Sequence, residues 1–118
     1  MGFPVELLRE VWYHTGITRE TAEERLEPGV SGCFLVRESE AKPGCFSLTL
    51  KHLEGIAHYP IERKDSGLYE VPGTHKGFMT LPDLIDHFKH HPISEDPHRQ
   101  LSYPCYKVIH TGEWKWKH

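Results

Sequence analysis

No long apolar run occurs in this sequence. None approaches the roughly 20 residues that a membrane helix needs, so no stretch reads as a spanning segment or an evident anchor. Positive charge is not in excess either, since the formal net charge is −3 with ten histidines counted neutral. A basic footprint for nucleic acid is therefore missing, and any bound anion must be gathered by a local cluster rather than by the overall field. Cysteine is scarce and odd in number: Cys33, Cys45 and Cys105 stand at irregular spacing. That argues against a disulfide framework and fits a reducing compartment, so a cytoplasmic location is expected. No cysteine pair stands at zinc spacing. No nucleophile-elbow pattern surrounds a serine, and no kinase glycine-rich loop or catalytic-loop motif is present. Repeats and low-complexity tracts are absent too. The opening MGFPVELL lacks a basic region followed by an apolar stretch, so no secretory signal is expected. Glu6 stands where a myristoylation motif wants Ser or Thr.

What remains is one domain's length, 118 residues, with 37% apolar and 26% charged residues, an ordinary balance for a soluble globular chain with a modest core. Residues 18–27, TRETAEERLE, read as a short helix. Thr18 is a good N-cap, Glu20 suits the first turn, Ala22 and Leu26 share a face, and Ile17 can staple onto Ala22. Pro28-Gly29 ends it. A second helix is expected over 81–90, with Thr80 as cap, Asp83 three residues on, and an apolar stripe of Leu81, Leu84, Ile85 and Phe88. Pro82 is tolerable in its first turn. Between the helices lie strand candidates at 33–38, 45–52, 56–63 and 68–71, separated by the turn-type clusters AKPG, LEG and KDSG. LSYP gives a last short extended segment. The order helix, meander, helix indicates an α+β fold: a central antiparallel sheet flanked by two helices. Residues 1–11 are read as a lead-in, 12–106 as the domain and 107–118 as a tail ending in EWKWKH.

The strand at 33–38 carries an oddity. In GCFLVRESE, Phe34, Val36 and Glu38 point one way, and Leu35, Arg37 and Ser39 the other. Apolar residues on both faces mark a central strand, so Arg37 sits where water is scarce. It either pairs with a buried acid or waits for a dianion. A buried pair is often no more stable than apolar replacements, and losing one partner costs about 3–5 kcal/mol. The planar guanidinium matches two phosphate oxygens at once. Ser39 adds a hydroxyl on the same face, and the following turn, EAKPG, can supply an amide nest.

These residues also carry a family resemblance. WYHTGITRETAEERL, GCFLVRESEAKPGCFSLTLKH, AHYPI, DSG-LYEV and FMTLPDLIDHF together resemble the Src homology 2 domain, from about Trp12 to Cys105, in order and spacing. The resemblance implies a phosphotyrosine-dependent peptide-binding module of tyrosine-kinase signalling. It implies no catalytic residue, no metal and no cofactor, and a protein that acts as a monomer on tyrosine-phosphorylated proteins or peptides. Arg37 matches the phosphate-binding arginine of the FLVRES motif. Arg19 matches the helix arginine that contacts phosphate and packs on the ring. Ser39 and the 40–44 loop, with Glu40 and Lys42, match the phosphate-binding loop. Ser47 matches a pocket-wall residue and His58 the histidine that organises the pocket. Tyr59 matches an aromatic position associated with Src-like specificity. Tyr59 and Ile61 share the peptide-specificity face, while Val71 and Phe88 match walls of the pocket for the third residue after phosphotyrosine. The loops 72–77 and 91–100 would gate it.

Two positions depart from the pattern. Pro60 stands where many Src-like members carry a lysine that clasps the phosphotyrosine, so pocket charge leans on Arg37 and Arg19, with Lys42 as a loop helper. Thr15-Gly16 stands where the family often has glycine first. Three rival readings use the same residues. Ser39, His58 and Asp65 can be combined as a hydrolase triad, though nothing around Ser39 supports it. His87, His90 and His91 form H-x-x-H-H, which suits a solvated helix end as well as a metal. The same fold can also serve as a scaffold that binds without phosphorylation, against which the intact Arg37 speaks.

Overall fold

The computed structural model describes residues 5–106. The tail at 107–118 and residues 1–4 of the lead-in lie outside the described residues. A 3-10 turn, Val5–Arg9, precedes β1 (Tyr13–His14), α1 (Arg19–Leu26), β2 (Cys33–Glu38), β3 (Phe46–His52) and β4 (Gly55–Arg63). The short strands β5 (Tyr69–Glu70) and β6 (Gly77–Phe78) follow, then α2 (Leu81–His90) and β7 (Tyr103–Pro104).

Both helices begin where their caps place them. The Thr18 hydroxyl oxygen accepts from the Thr21 amide at 3.1 Å, and that of Thr80 accepts from the Asp83 amide at 3.1 Å. Each cap satisfies one of the amides left without an intrahelical partner. α1 buries Ala22 and Leu26, and α2 buries Leu81, Leu84, Ile85 and Phe88, the stripe read from the sequence.

The sheet runs β1-β2-β3-β4-β5-β6, with β7 also paired to β2. The β2–β3–β4 meander is antiparallel as expected. The sheet as a whole is not, because β1 and β7 both join β2 in parallel. The α+β fold with its central antiparallel meander is thus as expected, and the two short parallel strands make the sheet as a whole mixed. The two added strands are two residues long, too short for side-chain alternation to show. No hairpin turn ties them to β2, so nothing local fixes their direction. β7 can dock because residue 32 is glycine, with φ of 98°. A Cβ there would stand 2.8 Å from the Ser102 Cβ, while the Gly32 carbonyl accepts from the amides of Ser102 and Tyr103.

The meander separates two apolar clusters. Phe34, Val36, Leu48, Leu50 and Ile61 pack with the α2 stripe. Leu35 packs with Ala22, Leu26 and Cys105 on the α1 side, with Ile17 and Cys33 at its margin. The strand is therefore covered on both faces, as its composition implied. Leu7 of the lead-in is buried in the α2-side cluster, so the packed unit takes in part of residues 1–11. No helix among the described residues is long and apolar enough to cross a membrane.

Candidate functional site

Alternation carries Arg37 to the α1 face of β2, beside Leu35. It is 5% exposed. Sheet register sets Ser47 of β3 opposite Arg37 and Pro60 of β4 opposite Ser47. One step along, Leu35, Thr49 and His58 form a second row. Ser47 and Thr49 are both buried. Pro60 is exposed, on a stretch of β4 whose outer side is paired only further on, at Glu62 and Arg63, so the missing amide is accommodated.

Arg37 is weakly held for a buried cation. One guanidinium nitrogen, Nη1, reaches the Glu38 carbonyl at 3.4 Å and lies 3.9 Å from Oε1 of Glu40. Its Nε is buried with no hydrogen-bond partner. Burial lowers its pKa below the usual arginine value, partly offset by the Glu40 carboxylate, and the Arg19 charge lowers it further. No other carboxylate among the described residues lies within 4.0 Å. The buried-acid reading of Arg37 thus reduces to one long contact with a loop glutamate whose side chain is 55% exposed.

Arg19 is the first residue of α1, near enough to Arg37 for the two charges to interact, with its side chain largely in water. Its Nε lies 3.6 Å from Oε2 of Glu23, one helical turn on. The same Glu23 oxygen is 2.7 Å from Nε2 of His58, whose Nδ1 is 3.1 Å from the Thr49 hydroxyl. With Nε2–H donating to Glu23 and Nδ1 accepting from Thr49, a neutral imidazole is satisfied at both nitrogens. Burial lowers the His58 pKa, the hydrogen bond to Glu23 opposes this, and the charges of Arg19 and Arg37 add to the lowering. The hydrogen bond to His58 holds the Glu23 carboxyl below its ordinary value.

In the following loop, the Ser39 hydroxyl oxygen accepts from the Lys42 amide at 3.1 Å, and the Cys45 amide donates to the Lys42 carbonyl at 3.1 Å. Gly44, with φ of 88°, turns the chain into β3. Lys42 sends its ammonium to Glu62, 3.7 Å away, rather than towards Arg37. Arg37, Arg19, Glu40, Ser47 and His58 are thus gathered at one end of the sheet, with Ser39 opening the loop beside them. Both nitrogens of His58 are engaged away from Ser39, which leaves the triad reading without a base.

On the other face a cleft of about 230 Å³ lies between the segments Gly73–Lys76 and Pro92–Ser94, floored by His87 and Phe88. The loops expected to gate a pocket do border it. Val71 is 2% exposed, packed in the same core cluster as Phe88, and does not line the cleft. Ile61 is 0% exposed, a core residue with no surface to offer a peptide. Pattern alone put it on the Tyr59 face without distinguishing core from groove. The Tyr59 hydroxyl accepts from Nη1 of Arg99 at 2.8 Å, and the Arg99 carbonyl accepts from the Ile93 amide at 2.8 Å, which ties the 91–100 loop to the sheet. A larger cavity of about 670 Å³ opens beside Phe46, Tyr69 and Leu81 and reaches Ser39 and Gly44 of the loop; Arg63 borders it, while Arg37 and Arg19 do not. At the end of α2, Nδ1 of His90 and of His91 donate to the carbonyls of Asp86 and His87, and the rings of His87 and His91 stack.

Sequence reasoning missed Glu23, Thr49, Arg99 and His14. Two of these had a visible signal, since Glu23 is four residues after Arg19 and Thr49 shares a strand face with Ser47. His14, paired with Arg37 in register, is 1% exposed. Its Nε2 is 2.7 Å from the Cys105 carbonyl and its Nδ1 2.7 Å from Nη1 of Arg25. It pins α1 and the β7 segment to the strand beside the arginine.

Comparison with known proteins identifies a family. A sequence model of the SH2 domain family matches residues 12–88. "Tyrosine-protein phosphatase corkscrew" of Drosophila virilis is 41% identical over 103 residues, 86% of this chain and 12% of the relative. "EGFR adapter protein" of Drosophila melanogaster is 42% identical over 85 residues, 70% of this chain and 20% of the relative. "Tyrosine-protein kinase transforming protein Abl" of Abelson murine leukemia virus is 36% identical over 105 residues, 88% and 14% respectively. The chain spans a fifth or less of the length of each of these relatives.

Proposed function

The chain belongs to the SH2 domain family, and on that footing we propose that it binds peptides carrying phosphotyrosine and recruits their parent proteins in tyrosine-kinase signalling. The observation that carries this reading is Arg37: a nearly buried guanidinium with an unpartnered Nε and only long contacts elsewhere. A phosphate dianion brings about −1.5 to −2 charges and three acceptor oxygens, which such a group lacks in the free protein. Each hydrogen bond to a charged group contributes roughly 1.5–3 kcal/mol. A few around Arg37 suffice for a micromolar affinity, about −8 kcal/mol. Depth selects the ligand, because a phenol ring can carry phosphate down to Arg37 while a serine side chain is too short.

Arg19 stands at the rim, where a cation can also meet the ring face. Ser39, Glu40 and Lys42 contribute through the loop, with Ser47 and His58 as walls. The peptide then runs across the sheet past Tyr59. An apolar side chain about three residues on enters the cleft over Phe88, with Val71 supporting its floor, a Src-like mode of specificity. The activities named for the phosphatase and kinase relatives lie in proteins of which this chain covers only a small part, and no catalytic role is assigned here.

A phosphotyrosine peptide library, screened beside its unphosphorylated and phosphoserine counterparts, tests the reading. The expected result is capture of phosphotyrosine peptides alone, enriched in apolar residues three places after the modification. Equal capture of unphosphorylated peptides would instead support the scaffold reading.

A further inference from the structure

The anion site already contains a carboxylate. Oε1 of Glu40 lies 3.3 Å from the amide nitrogen of Arg19 and 3.9 Å from Nη1 of Arg37. These are the first amide of α1, where a helix dipole favours negative charge, and the cation of the proposed pocket. One oxygen therefore spans the two groups between which a phosphate oxygen would settle. Its effect on Arg37 is that of a weak ligand, raising a pKa that burial lowers.

The other nearby acid behaves differently. Glu23 is fixed by the 2.7 Å contact with His58 and by Arg19, and belongs to the wall. Glu40 has only long contacts there, keeps its side chain 55% exposed, and stands on a turn rather than in a strand or helix. It can swing into water without breaking a short bond. A carboxylate and a dianion cannot share one guanidinium nitrogen without mutual repulsion.

We propose that the Glu40 side chain is an internal competitor for the phosphate site, seated between Arg37 and the α1 amide in the free domain and displaced when phosphotyrosine enters. This rests on the phosphotyrosine reading above and adds to it a specificity device. A singly charged side chain, such as an aspartate of an acidic peptide, would exchange one carboxylate for another with no gain in charge at Arg37. Only a dianion gains by the exchange. The loop thus contributes its backbone to binding while its acidic side chain opposes it.

The test compares wild type, Glu40→Gln and Glu40→Ala by calorimetry with a single phosphotyrosine peptide and with its sulfotyrosine counterpart as a monoanionic probe. Both variants should bind the phosphopeptide about two- to fivefold more tightly, the scale of a partly exposed ion pair, and the sulfopeptide should gain as well. Asp65→Asn, which removes the same charge from an exposed turn, should leave affinity unchanged. In NMR spectra, the Arg19 amide of the free domain should shift in Glu40→Gln, and the wild-type and variant signals should converge once phosphopeptide saturates both. Unchanged or weaker binding by both Glu40 variants would overturn the competitor. So would an equal gain from Asp65→Asn, or Arg19 signals that stay apart in the complexes. Failure of every form to bind phosphotyrosine would be a separate result that removes the functional reading itself, and the competitor with it.

Discussion

A guanidinium is expensive to bury and gains little from one half-exposed carboxylate at 3.9 Å. Under the proposed function Arg37 is thus better explained by a ligand than by what it stabilises. Arg37→Lys should lose at least about tenfold, roughly 1.4 kcal/mol, in phosphopeptide affinity, because a point charge cannot make the forked contact. Titration of that variant beside wild type checks it, and retained affinity would remove the bidentate account. Arg19→Ala should cost less, about 1 kcal/mol, since its side chain is 58% exposed and already engaged by Glu23. A loss as large as that from Arg37 would reverse the ranking of the two arginines. At this scale much of the pocket was legible. Alternation along 34–39 and 58–61 put Arg37, His58 and Pro60 on their faces. Glu23 was harder to read despite its spacing from Arg19, because a glutamate on a solvated helix face and one that bonds a neighbouring strand look alike in sequence.

The elements follow from local chemistry where the chain is long enough to show a period. α1, α2 and the three long strands did so. β1 and β6, each of two residues, did not, and their pairing, like that of β7 within the expected LSYP segment, depends on tertiary packing such as the close approach at Gly32. The α2 cap offers a stability test separate from binding. Thr80→Ala should cost about 1 kcal/mol in denaturant unfolding and leave phosphopeptide affinity unchanged. The loop tie offers the converse. Tyr59→Phe removes the acceptor that holds Arg99, and a library screen should show weaker selection three places after phosphotyrosine while phosphotyrosine itself is still required. Undiminished selection would mean that the tie does not shape the cleft.

For the whole molecule, titration couples the pocket to stability. The His58 pKa is lowered in the folded domain by burial and the two arginines, against the pull of Glu23. His87 is lowered as well, by burial and then by His91 and Lys76. As pH falls below about 6.5, the unfolded chain takes up protons that the folded one refuses. Stability from these groups is therefore present above that pH and is lost as pH drops towards the folded values. Thermal unfolding between pH 7.5 and 5.5 should show this loss, and His58→Gln should reduce the slope. An unchanged slope would mean that Glu23 compensates fully. A bound phosphate, by opposing the two arginines, should raise the His58 pKa and lessen the loss. The most direct measurement is calorimetric titration of one phosphotyrosine peptide into wild type and Arg37→Ala, with circular dichroism on both. Glu40 can turn to water when its partner is removed, so the variant should stay folded and bind more than about a hundredfold more weakly, roughly 3 kcal/mol. A folded variant that holds the phosphopeptide as tightly as wild type would contradict the account.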